Sequence, residues 1–185
     1  MTHYNKLLIE KTNYADLIQL KLSNGENLPT LREYIIEGKK NNKNTLLVCE
    51  IKPSEISKER GKTTALKTVE TIKKLNADKI TCYISFDYEI LKQIREVDQK
   101  TVLQYLEGNK SPKEVKADKI SGVDYHYSVF KKHPEWIKEA KENNIILNAW
   151  TVNEASDMDW IIDHKFNYIT TNEPELLKER LKVKK

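Results

Sequence analysis

Glu50 and Lys52 stand two residues apart in Glu50-Ile51-Lys52-Pro53, at the end of a short apolar run. Strand alternation puts both side chains on one side, opposite Ile51, so both can face the mouth of a sheet. A carboxylate there can ligate a hard divalent cation, and an ammonium beside it can neutralise a phosphate oxygen. The same spacing also makes a plain Glu–Lys ion pair, and the two residues alone do not separate these readings. A second group is Asn148-Ala149-Trp150-Thr151-Val152-Asn153, in which Trp150 shares a face with Asn148 and Val152. Its indole either walls a substrate pocket or packs in the core. Weaker candidates are Ser85 and Asp87 around Phe86, Gln104 inside a strand, and Asp124-Tyr125-His126-Tyr127. His126 suits a proton donor or a ligand, or equally a packed, hydrogen-bonded ring. His133 and His164 fall beside or within helices, on the surface, and the basic run over residues 178–185 reads as a solvated helix end.

The elements that must position these groups alternate regularly. Apolar runs at 46–51, 82–86, 102–106, 145–150 and 168–171 have the length and flanks of strands buried on both faces, and 122–125 is a sixth, weaker run. Between them, amphipathic stretches at 64–75, 88–97, 134–142 and 155–164 carry apolar residues at helical spacing. Pro112, Pro134 and Pro174 sit where a first helical turn begins, and a last helix is expected over 174–181. Ahead of the first strand the sequence predicts a short helix near 14–20, a turn at Ser23-Asn24-Gly25 and a helix over 30–37. Repeated strand-then-helix order implies a parallel α/β sheet with right-handed crossovers. With five glycines and no G-x-G-x-x-G or G-x-x-x-x-G-K-[ST], a nucleotide-binding sheet loses its main support and a barrel is favoured.

The 185 residues suit one domain. Its net charge of +4 comes from 32 basic and 28 acidic residues spread along the chain, which argues against a nucleic-acid partner. Cys49 and Cys82, each inside an apolar run, are expected as buried free thiols. Neither a membrane-spanning stretch nor a signal-peptide apolar region is present, so the chain as written is expected in the cytoplasm, although a longer parent could be exported.

Taken in order, Leu28-Pro29-Thr30-Leu31-Arg32-Glu33-Tyr34, Glu50-Ile51-Lys52-Pro53, Tyr83-Ile84-Ser85-Phe86, Ala149-Trp150-Thr151-Val152-Asn153 and Tyr168-Ile169-Thr170-Thr171-Asn172-Glu173-Pro174 resemble the glycerophosphodiester phosphodiesterase family. The likeness runs over about residues 24–181. It implies a TIM (β/α)8-type barrel, and hydrolysis of glycerophosphodiesters, such as deacylated phospholipids, to glycerol 3-phosphate and an alcohol with Ca²⁺ or Mg²⁺. On the matching positions it implies Glu50 as a metal ligand, Lys52 as a phosphate contact and Trp150 as a pocket wall.

The same resemblance implies three further elements: a His-Arg-Gly strand, a Glu-x-Asp strand and a His-Asp pair, which supply the catalytic histidines and two more metal ligands. None of them occurs in these 185 residues. Residues 9–20 resemble the segment that follows the His-Asp element, so His3 lies on the wrong side of that junction. The expectation is therefore a partial barrel of about six strands, residues 1–185, with no catalytic residue of its own and weakened metal binding. Its exposed sheet edges invite self-association. Two readings follow: the larger part of a hydrolase whose missing elements lie within about 80 codons upstream, or a short product that binds phosphoesters or a complementary fragment without turnover.

Overall fold

The structure, a computed structural model, describes residues 3–4 and 7–184. The side chain of His3, and Lys185 of the basic run, lie outside the described residues. The chain opens with an antiparallel pair, β1 (His3–Tyr4) and β2 (Leu7–Leu8), then α1 (Tyr14–Leu17) and α2 (Leu31–Lys39). Six strand-then-helix units follow. They are β3 (Leu47–Glu50) and α3 (Lys58–Lys74), β4 (Thr81–Ser85) and α4 (Tyr88–Val97), and β5 (Leu103–Tyr105) and α5 (Pro112–Ala117). Next come β6 (Gly122–His126) with α6 (Tyr127–Lys132) and α7 (Glu135–Glu142), β7 (Ile146–Trp150) with α8 (Ala155–Asp163), and β8 (Tyr168–Ile169) with α9 (Pro174–Val183).

All six strands pair in parallel in the order β3-β4-β5-β6-β7-β8. Strictly sequential order lacks the reversal that defines a doubly wound sheet, so the strands curl in one direction as barrel staves do. The ring is not closed: β3 and β8 are the two edges of the sheet. Six staves of a (β/α)8 plan are thus present, as the sequence predicts.

Alternation along each strand separates two faces. Tyr83, Leu103, Tyr105, Val123, Tyr125, Leu147 and Ala149 are buried against the helices, where Ala65, Val69, Ile72, Ile90, Leu91, Ile94, Phe130 and Met158 complete the core. The other face, carrying Val48, Glu50, Cys82, Gln104, Asp124, Asn148 and Trp150, lines the concave side. Val48 is 59% exposed and Tyr168 47%, although both are large apolar groups on edge strands.

Local chemistry sets the helix starts. Thr30 with Glu33, and Ser111 with Glu114, form capping boxes, while Ser57 and Asp87 accept from Arg60 and Glu89 backbone N–H groups. The Ser57 cap explains why α3 begins at Lys58, six residues before its apolar periodicity. Cys49 and Cys82 are both free, Cys82 buried and Cys49 half-buried. Burial, then the neighbouring Cys82 and Glu50, pushes the Cys49 thiol up to about 11, which leaves it a poor nucleophile.

Candidate functional site at the strand ends

Glu50 ends β3 and Lys52 follows two residues later, and Ile51 between them is buried on the opposite face. The Lys52 ammonium lies 2.5 Å from Glu50 Oε1, with the side chains 38% and 31% exposed respectively. Each is partly dehydrated but reachable, and the pair leaves the ammonium two further donors. The two residues share a cavity of about 400 Å³ with Glu10, Ser54 and Arg60. The Glu10 carboxylate accepts from Ser54 Oγ at 2.7 Å and from the Glu55 backbone N–H at 2.8 Å, and the Arg60 guanidinium donates to the Glu10 carbonyl at 2.8 Å. The segment after β2 therefore fastens the loop that carries Lys52.

Trp150 is held by other partners. Its indole N–H donates to the Asp124 carbonyl at 2.9 Å, and its ring meets Phe86 and His126 edge-on, at centroid distances of 5.7 and 5.2 Å. These rings form an aromatic wall across the ends of β4, β6 and β7. Asp124 bridges the two groups. It is 2% exposed, its side chain belongs to the concave face, and Glu50 is the charge that acts on it. Burial, and then the Glu50 carboxylate, pushes its carboxyl up to about 7. A buried carboxyl opposed by a second carboxylate at a strand end is the most perturbed acid of the chain's concave face. The sequence marks Asp124 only among the weaker candidates, because its burial and the influence of Glu50 on it are tertiary facts.

The remaining candidates have structural partners. Ser85 Oγ donates to the Ile51 carbonyl at 2.6 Å, and Asp87 caps α4 and pairs with Lys58 at 2.8 Å. His126 packs on Tyr127 and caps α6, its Nδ1 2.7 Å from Ser128 Oγ. His133 stacks on Trp136 and reaches Glu135 at 3.1 Å, and His164 Nδ1 lies 2.7 Å from the Trp160 carbonyl. Both are half-buried rather than fully at the surface. Among the described residues, no three His, Cys, Asp or Glu side chains gather closely enough to hold a metal ion. A larger cavity of about 880 Å³, lined by Val48, Cys82, Gln104, Ile146, Asn148 and Tyr168 with others, is the hollow inside the unclosed sheet, away from the Glu50–Lys52 end.

Comparison with known proteins agrees with this architecture. The profile of the Glycerophosphoryl diester phosphodiesterase family matches residues 2–176. The chain belongs to that family. A glycerophosphodiester phosphodiesterase from Parabacteroides distasonis ATCC 8503 superimposes with a TM-score of 0.95 at 35% identity, covering 100% of this chain and 76% of that one. An Oleispira antarctica phosphodiesterase in complex with the product sn-glycerol-3-phosphate has a TM-score of 0.79 at 21% identity, over 95% of this chain and 72% of that one. For a Thermotoga maritima glycerophosphodiester phosphodiesterase the values are 0.68, 21%, 97% and 75%. The last two likenesses are of fold alone. No curated protein matches the sequence, and no described helix is long and apolar enough to cross a membrane.

Proposed function

We propose that the chain carries the phosphoester-binding side of a glycerophosphodiester phosphodiesterase site, and that hydrolysis itself needs groups these 185 residues do not contain. The supporting observation is the Glu50–Lys52 pair at the end of β3, in a curled parallel sheet of this family. Lys52 binds a phosphoryl oxygen with the donors its contact to Glu50 leaves free. Trp150, fixed by its hydrogen bond to the Asp124 carbonyl, walls the pocket with Phe86 and excludes water from the ester. Glu50 is the carboxylate that would hold Ca²⁺ or Mg²⁺, and its partly exposed position at the end of β3 suits that role. When bound, the cation withdraws charge from the phosphoryl oxygens. The substrate class in this reading is a small glycerophosphodiester, and the dispersed charge argues against nucleic acid.

A second reading, a binding remnant that turns nothing over, draws on the open edges β3 and β8 and on the exposed Leu46, Val48 and Tyr168 beside them. Such edges pair with strands of another chain or with a second copy. Both readings keep Lys52 on phosphate. Titration calorimetry with sn-glycerol 3-phosphate is therefore expected to show affinity falling about tenfold or more in Lys52→Ala, the range of one charge-assisted hydrogen bond. Equal affinity in the two proteins would remove Lys52 from the site.

A further inference from the structure

The chain on either side of Lys52 is anchored by different parts of the fold. Upstream, the Ile51 N–H donates to the Ile84 carbonyl at 2.9 Å and the Ile51 carbonyl accepts from Ser85 Oγ at 2.6 Å, so β4 fixes the residue before it. Downstream comes Pro53, whose ring locks φ, and then Ser54 and Glu55. Both are held from residue 10. One oxygen of the Glu10 carboxylate accepts from the Ser54 hydroxyl at 2.7 Å and the other from the Glu55 backbone N–H at 2.8 Å. Ser54 Oγ in turn accepts from the Ile56 and Ser57 N–H groups at 3.1 and 3.3 Å, and Ser57 caps α3. One acid, 44 residues away in sequence, thus pins the turn that leads from Lys52 into α3.

Glu10 is itself tied to a rigid base. Arg60 Nη2 donates to the Glu10 carbonyl at 2.8 Å, and Arg60 Nε lies 3.4 Å from Glu10 Oε1. Arg60 belongs to α3, a 17-residue helix that packs into the core through Ala65, Val69 and Ile72. A hydroxyl, a backbone amide and a guanidinium therefore converge on one carboxylate, whose side chain is 20% exposed. A carboxylate can serve all three because it has acceptor sites only, whereas a glutamine of the same shape turns an NH₂ towards one of them. Bonds to an ionised acceptor are also the stronger kind. The cavity at the end of β3 is thus lined by two acid–base pairs, Glu50 with Lys52 and Glu10 with Arg60.

We propose that Glu10 is a positioning residue for phosphoester binding: it fixes the 53–57 turn, and through it the Lys52 ammonium, without touching the ligand. The inference rests on the reading of Lys52 as the phosphate contact and adds what holds that contact in place. A loop that must be ordered at the moment of binding subtracts its ordering cost from the affinity, so a loop ordered beforehand binds more tightly. Pro53 is the only residue between Lys52 and the clamped pair Ser54 and Glu55, and its fixed φ transmits the clamp to the Lys52 backbone. Pairing Arg60 with Glu10 also leaves Lys52 as the cation offered to phosphate in this cavity.

Glu10→Gln keeps the shape of the side chain and removes its charge. Calorimetry of the purified chain with sn-glycerol 3-phosphate is expected to show affinity about threefold to tenfold lower in this variant. Hydrogen exchange of the Glu55 amide should quicken about tenfold, while the amides of β4 to β7 keep their native protection and show the variant folded. Glu10→Gln combined with Lys52→Ala should bind no more weakly than Lys52→Ala alone, because a positioning residue acts through the ammonium, whereas a general loosening of the fold would add its own loss. Native affinity in Glu10→Gln beside a weakened Lys52→Ala, an unchanged Glu55 exchange rate, or losses that add in the double variant overturns the proposal and leaves Lys52 on phosphate. Native affinity in Lys52→Ala instead removes the phosphate reading and this proposal with it, a result read without any change at residue 10.

Discussion

Incubated with glycerophosphocholine and either Ca²⁺ or Mg²⁺, the purified 185-residue chain is expected to release no glycerol 3-phosphate above background. Diester hydrolysis needs one group to activate the attacking water and another to protonate the leaving alkoxide, each contributing roughly 10²–10⁴ in rate. Resemblance assigns both to histidines in elements this sequence lacks. The described histidines do not replace them: His126 caps α6, His133 stacks on Trp136, and His164 is held by the Trp160 carbonyl. The same reasoning predicts what would restore activity. The P. distasonis relative extends beyond this chain by about a quarter of its length, 76% of it being covered. A quarter of an eight-unit barrel is two strand-and-helix units, the number the open sheet lacks. Mixing the chain with the first two such units of that relative is expected to give metal-dependent turnover. Robust turnover by the chain alone would contradict the assignment of the acid and base.

The second large effect concerns stability against pH. Asp124 has its carboxyl raised from 3.8 to about 7 in the folded chain. Between those values the folded protein holds a proton that the unfolded chain has released. Stability contributed by this group is therefore complete below pH 4, declines as pH rises, and is gone above about pH 7. A rise of that size corresponds to about 4 kcal/mol, a large part of a domain's usual 5–15 kcal/mol. In a chelating buffer, the urea midpoint of the native chain should fall steadily from pH 4.5 to 7.5. Asp124→Asn, equal in shape and without the charge, should lose most of that slope and be the more stable protein at pH 8. Parallel profiles for the two proteins would mean that Asp124 ionises without opposition.

Much of this architecture is written in local pattern. The apolar runs mark all six parallel strands because strands buried on both faces are nearly continuous in hydrophobicity, and 88–97 coincides with α4 because Asp87 caps it and the apolar spacing is regular. Other elements leave no local trace. The β1–β2 pair has two residues per strand, too few for periodicity. The α6 turn begins directly on β6 with an imidazole as its cap, outside the usual cap residues. At the site, alternation aligns Glu50 with Lys52, and the resemblance marks Trp150. Asp124, placed among the weaker candidates by sequence, gains its weight from burial and from the Glu50 carboxylate facing it, relations between strands far apart in the chain.

The central claim is that phosphate on Lys52 and the wall at Trp150 belong to one site, although their hydrogen-bond and ring partners are different residues. The indole N–H resonance of Trp150 during a titration with sn-glycerol 3-phosphate reads that directly. Saturable movement of this resonance is expected, with the Trp136 and Trp160 signals unmoved and the midpoint shifted about tenfold higher in Lys52→Ala. A Trp150 signal that stays still while ligand binds, or one that titrates identically without the Lys52 ammonium, would show that the two residues serve different surfaces.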